Sequence, residues 1–359
     1  MVQQLGHIEI HGYKSIKNLR LELGRINILI GSNGAGKTNF ISIFNFLRNL
    51  IEGRLQHTIR TKGGGDKLLH YGSQKTSELS IRLDFETNNY KVILNNSNND
   101  SLFIHKEDVG IWNKNYPQPR WENIATDERE SKVGFGNSWI SQYTFKALQN
   151  WRVYHFHDTS ENAPVKKNVP INDNEFLRED AANLAAFLYR LKIESPKHYQ
   201  RIIKNIQLIV PMFRDFNLRP NPLNPQTIQL EWFDKSSDFP FTAADLSDGS
   251  LRFICIVTML LQPNRPDLIL LDEPELGLHP MAIKILAGLL KKVANFSQII
   301  ISTQSEKLVS EFQANDIIVV EHNGENSTFN RLENEDFSNW MEEYTLGDLW
   351  EQNILGGRP

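Results

Sequence analysis

Hydrophobic and polar positions change period several times along the chain, and each change predicts an element. Ile8-Glu9-Ile10-His11-Gly12-Tyr13-Lys14-Ser15-Ile16 and Leu19-Arg20-Leu21-Glu22-Leu23 alternate as two strands leading into a buried strand, Arg25 to Ile30. Phe40, Ile41, Phe44, Leu47 and Ile51 then recur at helical spacing. Residues 52–75 read as polar loop, with Gly63-Gly64-Gly65 a flexible turn. Period two returns at Leu79, Ile81, Leu83 and Phe85 and again at Tyr90, Val92 and Leu94. The turn residues Thr87-Asn88-Asn89 between them make this a hairpin, and Asn95 to Asp100 form a further turn cluster. Residues 105–138, with Trp112, Trp121, Pro117 and Pro119, are irregular and polar and are expected on the surface as loops.

Trp139 to Trp151 predicts a helix, and Trp151 to His157 a strand ending at Asp158. Between 174 and 210, Phe176, Leu184, Ala185, Leu188 and Leu191 mark one helix; Ile202, Ile203, Ile206 and Ile209 mark a second. They are split at Ser195-Pro196 and stopped by Pro211. Neither sustains a heptad over three repeats, so no long coiled-coil arm is expected. Pro220, Pro222 and Pro225 mark a linker. The last third is strongly patterned: an apolar helix from Leu251 to Leu261, buried strands ending at Asp272 and at Ser302, and a strand from Asp316 to Glu321.

Between the third strand and the first helix stands Gly31-Ser32-Asn33-Gly34-Ala35-Gly36-Lys37-Thr38, which fits the phosphate-loop pattern at every fixed position. Strand, glycine loop and helix is the context in which that pattern has a mechanism. Consecutive N–H groups of Asn33 to Asn39 and the helix N-terminus point at a polyphosphate. Lys37 reaches the terminal phosphates, and the Thr38 hydroxyl reaches Mg²⁺. ATP and Mg²⁺ are the expected ligands. At the tip of a strand beside that loop, Asp272 is placed to hold Mg²⁺ with Thr38, and Glu273, one residue on, to orient or deprotonate the attacking water.

Other residue groups carry two readings. Tyr13 is an adenine-stacking candidate or core packing. His155, His157 and Asp158 suggest a metal site, but with no third cluster of ligand spacing they read as polar residues at a strand end.

Composition narrows the class. The 359 residues, 40% hydrophobic and 23% charged, suffice for one large globular domain or two moderate ones. No apolar run reaches membrane-spanning length, and Met1-Val2-Gln3-Gln4 is unlike a signal peptide. The single cysteine, Cys255, lies in an apolar run as a small core residue, in keeping with a reducing cytoplasm. The net charge of −4 hides an asymmetry: residues 1–75 hold 11 Lys/Arg against 4 Asp/Glu, residues 306–359 hold 3 against 12. The basic start is a nucleic-acid surface or a solvated face around the phosphate site.

Together with Leu246-Ser247-Asp248-Gly249-Ser250, Leu271-Asp272-Glu273-Pro274 and Ile301-Ser302-Thr303-Gln304-Ser305, the phosphate loop resembles the ATP-binding-cassette class of ATPases, in the branch of SMC, RecF and OLD-type heads. It is most similar there to the OLD-like bacterial predicted AAA-family ATPases. Residues 26–47 and 243–305 match the shared motifs. Tyr154-His155-Phe156-His157-Asp158-Thr159-Ser160, Leu346-Gly347-Asp348-Leu349-Trp350 and Gly356-Gly357-Arg358-Pro359 resemble the narrower group.

The resemblance implies an α/β fold, an ABC-type P-loop NTPase head with a mostly parallel sheet, an antiparallel β part and a helical insertion. Its expected parts are 1–75 with the phosphate loop; 76–240 as hairpin and helical insertion; and 241–359 with the signature motif, the Asp272 strand, the switch strand and an acidic tail. It implies that Ser247 and Gly249 reach across a homodimer, or higher oligomer, to the γ-phosphate of the other subunit, and that Gly277-Leu278-His279 touches the partner. The family's switch histidine is here Gln304, which hydrogen-bonds phosphate or water without carrying a proton in the same way and points to slow turnover. The family's Q-loop glutamine finds no position between 50 and 150.

The expected function is a slow ATPase that dimerises on ATP and controls a separate effector, such as a nuclease, in anti-phage defence or a DNA transaction. The rivals are a nucleotide-sensing scaffold, an intrinsic nuclease and, more remotely, a transporter ATPase. The tail acids Glu333, Glu335, Asp336, Glu342 and Glu343 are expected to form a solvated or partner-facing surface, with too little chain after Ser305 for a second catalytic domain.

Overall fold

In chain order the strands are β1 (Leu5–Tyr13), β2 (Ile16–Glu22), β3 (Ile26–Ile30), β4 (Glu78–Phe85), β5 (Asn88–Ser97), β6 (Ser101–Ile111), β7 (Arg120–Glu128) and β8 (Trp151–Tyr154). There follow β9 (Val169–Pro170), β10 (Phe213–Phe216), β11 (Pro220–Asn221), β12 (Asn224–Ile228), β13 (Glu231–Asp234), β14 (Pro240–Thr242), β15 (Leu268–Asp272), β16 (Gln298–Ser302), β17 (Ile317–His322) and β18 (Ser327–Arg331). The helices are α1 (Lys37–Ile51), α2 (Leu55–Thr61), α3 (Trp139–Gln149), α4 (Leu184–Glu194), α5 (Pro196–Ile209), α6 (Asp248–Leu261), α7 (Pro280–Val293) and α8 (Glu306–Val309). The computed structural model describes residues 4–97, 99–112, 118–136, 138–333, 337, 340 and 343–358. Met1 to Gln3, Asn98, Pro117, the tail acids Glu335, Asp336 and Glu342, and Pro359 lie outside them.

The chain divides into two compact units: residues 1–153, 266–270 and 294–359 form the first, 154–265 and 271–293 the second. Two six-stranded sheets organise the first. One is antiparallel, in the order β2-β1-β4-β5-β6-β7; the other runs β18-β17-β3-β16-β15-β8. In the latter β3 lies parallel to both β16 and β17, and β18 closes back antiparallel on β17. This is the α/β head of the expected class. Leu79, Ile81, Leu83 and Phe85 are all buried while their neighbours on β4 are half-buried, so the period-two pattern is a sheet face packed on a core that also takes Phe40, Phe44 and Leu47 of α1.

Several loop expectations are corrected. The 105–138 stretch contains the end of β6 and all of β7. β7 buries only Ala125, so as an edge strand it is held by its backbone ladder and shows no apolar alternation. In β6 the alternation is broken by Glu107, which is fully buried yet accepts hydrogen bonds from Tyr90 Oη (2.7 Å), Ser131 Oγ (2.6 Å) and Lys132 N (2.8 Å). Partnering of that kind is what lets a carboxyl enter a core, and burial, the largest influence, pushes its pKa up. Residues 52–75 hold a helix, α2, whose first N–H groups at Leu55 and Gln56 are capped by the Glu130 carboxylate at 2.6 and 3.1 Å, a cap from far along the chain. The proline linker contributes β11 and β12. The strand at 151–157 stops at Tyr154, and β18 follows the expected β17.

In the tail the described acids Glu333 and Glu343 are exposed, as expected, but part of the segment after them is not. Trp350, in the helix Leu346–Glu351, is fully buried, and its Nε1 donates to Gly357 O at 2.8 Å, while Gly357 N donates to Glu321 Oε1 at 2.9 Å. Gly357 packs beside Gly31, where the phosphate loop begins. Part of the tail is therefore docked on the sheet and not solvated.

The second unit holds α4 to α7 and two three-stranded sheets, β10-β13-β14 and β11-β12-β9. Every residue of α6 from Leu251 to Leu260 is buried, as a helix apolar all round must be. Cys255 lies among them, and desolvation pushes its thiol up to about 12. We expect Cys255 to resist alkylation at pH 8 in the folded protein and to react fully in urea; stoichiometric labelling under native conditions would contradict its placement.

Candidate functional site

The first unit carries the phosphate loop. Gly36 has φ of 120°, and a Cβ there would overlap the Ser327 hydroxyl of β18. Ser327 Oγ donates to Ala35 O at 2.6 Å and is hydrogen-bonded to Ser15 Oγ at 2.8 Å, where Ser15 is the donor, and Asn39 Nδ2 donates to Ser15 Oγ at 2.8 Å. Two serines thus brace the loop from behind; no local motif announces either, since 312 residues separate them. The Asn39 side chain is occupied in this brace, leaving its backbone N–H in the helix start.

α1 begins at Lys37 with no side-chain cap and no acid in its first turn, which leaves a helix N-terminus suited to an anion. Lys37 is buried, and its Nζ donates to Gly31 O and, at 3.0 Å, to Ser32 O. Asn33, Gly34 and Thr38 are exposed on the loop. Gln304, past the end of β16, donates through Nε2 to Asn33 Oδ1 at 2.7 Å, so its side chain touches the loop directly. Tyr13 is 1% exposed, donates or accepts with Ser42 Oγ at 2.9 Å and packs near Phe46. It is core packing, and the adenine-stacking reading is set aside.

The second unit carries the signature segment. Ser247 caps α6, accepting from Ser250 N at 3.2 Å and donating to Ser250 Oγ at 2.8 Å. A Cβ on Gly249 would overlap Gly277 O, so the segment can pack on the Gly277-Leu278-His279 turn only with glycine there. Arg252, 5% exposed, ties this region together. Its guanidinium donates to Phe156 O at 2.8 Å, His157 O at 3.1 Å and Leu276 O, and burial draws its pKa down. The clue to Arg252 in the sequence is an arginine inside an otherwise apolar helical run.

Asp272 and Glu273 follow at the end of β15, both half-buried. Glu273 has φ of 42°, a left-handed backbone rare for a residue with a side chain. Although no third cluster of ligand spacing stands near the histidines in the sequence, one donor atom each from His155, His157 and Asp272 lie within 4.8 Å of one another. Asp158 takes no part in that group; its carboxylate accepts from Ser160 N and Oγ, which lower its pKa.

The fold is that of an SMC-head-like ABC ATPase. The chain is similar to the SMC head bound to the C-terminal winged-helix domain of ScpA, with a TM-score of 0.58 and 16% identity over 93% of this chain and 99% of that one. It is likewise similar to the SMC head with an extended coiled coil bound to the C-terminal domain of ScpA from Pyrococcus furiosus, with a TM-score of 0.54 and 16% identity over 95% and 99%. Residues 26–310 match the model of the AAA_21 family, described as AAA domain, putative AbiEii toxin, Type IV TA system, and the chain belongs to that family. No curated protein matches it in sequence. Among the described residues no helix is long and apolar enough to cross a membrane.

Proposed function

We propose that this protein is an ATPase of the OLD-like group whose two copies close on ATP and so control a separate effector. The observation that carries the reading is the braced phosphate loop, with Lys37 buried in it, an acid-free helix start behind it and Gln304 hydrogen-bonded to it. Lys37 and the N–H groups from Asn33 to Asn39 bind the phosphates. Thr38 and Asp272 supply a hydroxyl and a carboxylate, the oxygen donors that Mg²⁺ takes. The ion, when bound with nucleotide, neutralises charge on the transferred phosphoryl group. Glu273 orients and deprotonates the attacking water, and Gln304, lacking a titratable proton, makes turnover slow.

The homodimer reading rests on Ser247 and Gly249. Ser247 lies exposed at the start of α6, and we assign its hydroxyl, once released from Ser250, to the γ-phosphate held by the second copy. The SMC heads above are bound to a partner domain, and the family description names a toxin system. Both support a partner-controlling role in defence or a DNA transaction, and leave a nucleic-acid contact through the basic start open to test.

The test is light scattering with and without ATP on a Glu273→Gln background. ATP is expected to shift the parent to a dimer. Ser247→Arg is expected to keep ATP binding by each subunit and abolish that shift, because a bulky cation fills the space meant for the partner's phosphate. A nucleotide-dependent dimer unchanged by Ser247→Arg would sink the shared-site model.

A further inference from the structure

We propose that His155, His157 and Asp272 form a site for a divalent transition-metal cation of the Zn²⁺ class, built by the second unit alone and independent of nucleotide. Among the described residues these are the one group of three His, Cys, Asp or Glu side chains whose donor atoms converge, within 4.8 Å of one another. Bonds of about 2.0–2.2 Å to a tetrahedral ion place neighbouring ligands roughly 3.4 Å apart, so the three donor atoms draw together when the ion binds.

The backbone bearing the imidazoles is fixed at each step. His155 N donates to Glu179 O at 2.9 Å, Arg252 holds Phe156 O and His157 O, and the Asp158 carboxylate closes the next turn on Ser160. Arg252 brings a positive charge nearby, but its donors are turned to carbonyl oxygens, and the Asp248 and Glu275 carboxylates offset it. Asp272 and His155 are half-buried and His157 is exposed, so three protein ligands would leave further positions open to water. That is the pattern of an accessible site and not of a closed structural one.

Donor chemistry decides the cation. Two imidazoles and one carboxylate suit Zn²⁺, Co²⁺ or Mn²⁺, whereas Mg²⁺ demands oxygen ligands and keeps its waters. Asp272 is also the carboxylate assigned above to Mg²⁺, so a transition metal held here competes with the nucleotide's ion for one ligand. That competition rests on the proposed ATPase reading; the site itself does not.

Equilibrium dialysis of the nucleotide-free 359-residue chain against Zn²⁺, and titration with Co²⁺ followed by its visible spectrum, test it. We expect about one ion per chain, retained in millimolar Mg²⁺ and unaffected by Lys37→Ala. The His155→Ala/His157→Ala double variant should lose the ion and the Co²⁺ spectrum, and His157→Gln or Asp272→Asn should weaken binding tenfold or more. The single variants keep the test decisive should the double variant misfold. A parent that binds no ion, or single variants with unchanged affinity and spectrum, would overturn the proposal. Because Lys37→Ala removes the nucleotide site, loss of ATPase activity and loss of metal binding are separable failures.

Discussion

Replacing Glu273 with Gln is expected to leave ATP binding intact and to lower turnover by a factor on the order of 10² to 10⁴, the contribution typical of a general base. The substitution is close to isosteric, so packing around this half-buried position survives, while the amide cannot take a proton from water. The backbone sharpens the expectation. Glu273 sits in a left-handed conformation that costs of order 1–3 kcal/mol for a residue with a Cβ, and such strain persists only where surrounding structure holds it. The turn Glu273-Pro274-Glu275-Leu276 is anchored at its far end by Arg252 on Leu276 O, and Leu276 N donates back to Glu273 O at 3.2 Å. Phosphate release and nucleotide binding measured side by side on parent and variant decide the matter. Turnover at the parent rate would remove Glu273 from the chemistry.

Replacing Trp350 with Ala is expected to destabilise the first unit by about 3–5 kcal/mol, the usual cost of emptying a buried indole site. Its ring is fully buried, and its loss also strips the Gly357 carbonyl of the indole N–H. For a unit of this size that corresponds to a fall in Tm of roughly 6–20 °C. Calorimetry on the purified protein reads it, with Trp350→Phe as a milder comparison that keeps most of the ring contacts and lacks the N–H. A melting temperature unchanged in the alanine variant would mean that the tail is not docked.

What could be read from the sequence divides along the reach of the interactions. The phosphate loop, α1, α6, β15 and β16 announce themselves because each is specified by neighbours in the chain: an apolar run, a glycine pattern, a serine cap. The misread elements depend on distant partners. α2 is capped from Glu130, β7 is held by ladder bonds to β6 without burying a face, and Glu107 is tolerated in the core through Tyr90 and Ser131. The candidate site divides likewise. Lys37, Thr38, Asp272 and Glu273 stand in local motifs, whereas the Ser15–Ser327 brace, the three-way hold of Arg252 and the third member of the His155–His157 group appear only after folding.

The order of strands β17-β3-β16 also sets a timetable for synthesis. β3 leaves the ribosome near the beginning, yet both of its parallel neighbours are encoded near the end, and Asn27 Nδ2 bonds to Ile299 O across 272 residues. At ordinary translation speeds of about 5–20 residues per second, β3 waits roughly 15 to 55 s for its partners. During that interval a run of apolar side chains and two bare edges is exposed, the kind of segment that chaperones occupy and that aggregates when they are scarce. A nascent chain arrested after α7 should therefore have the phosphate-loop sequence without a phosphate loop, and the site should form only as β16, β17 and β18 emerge.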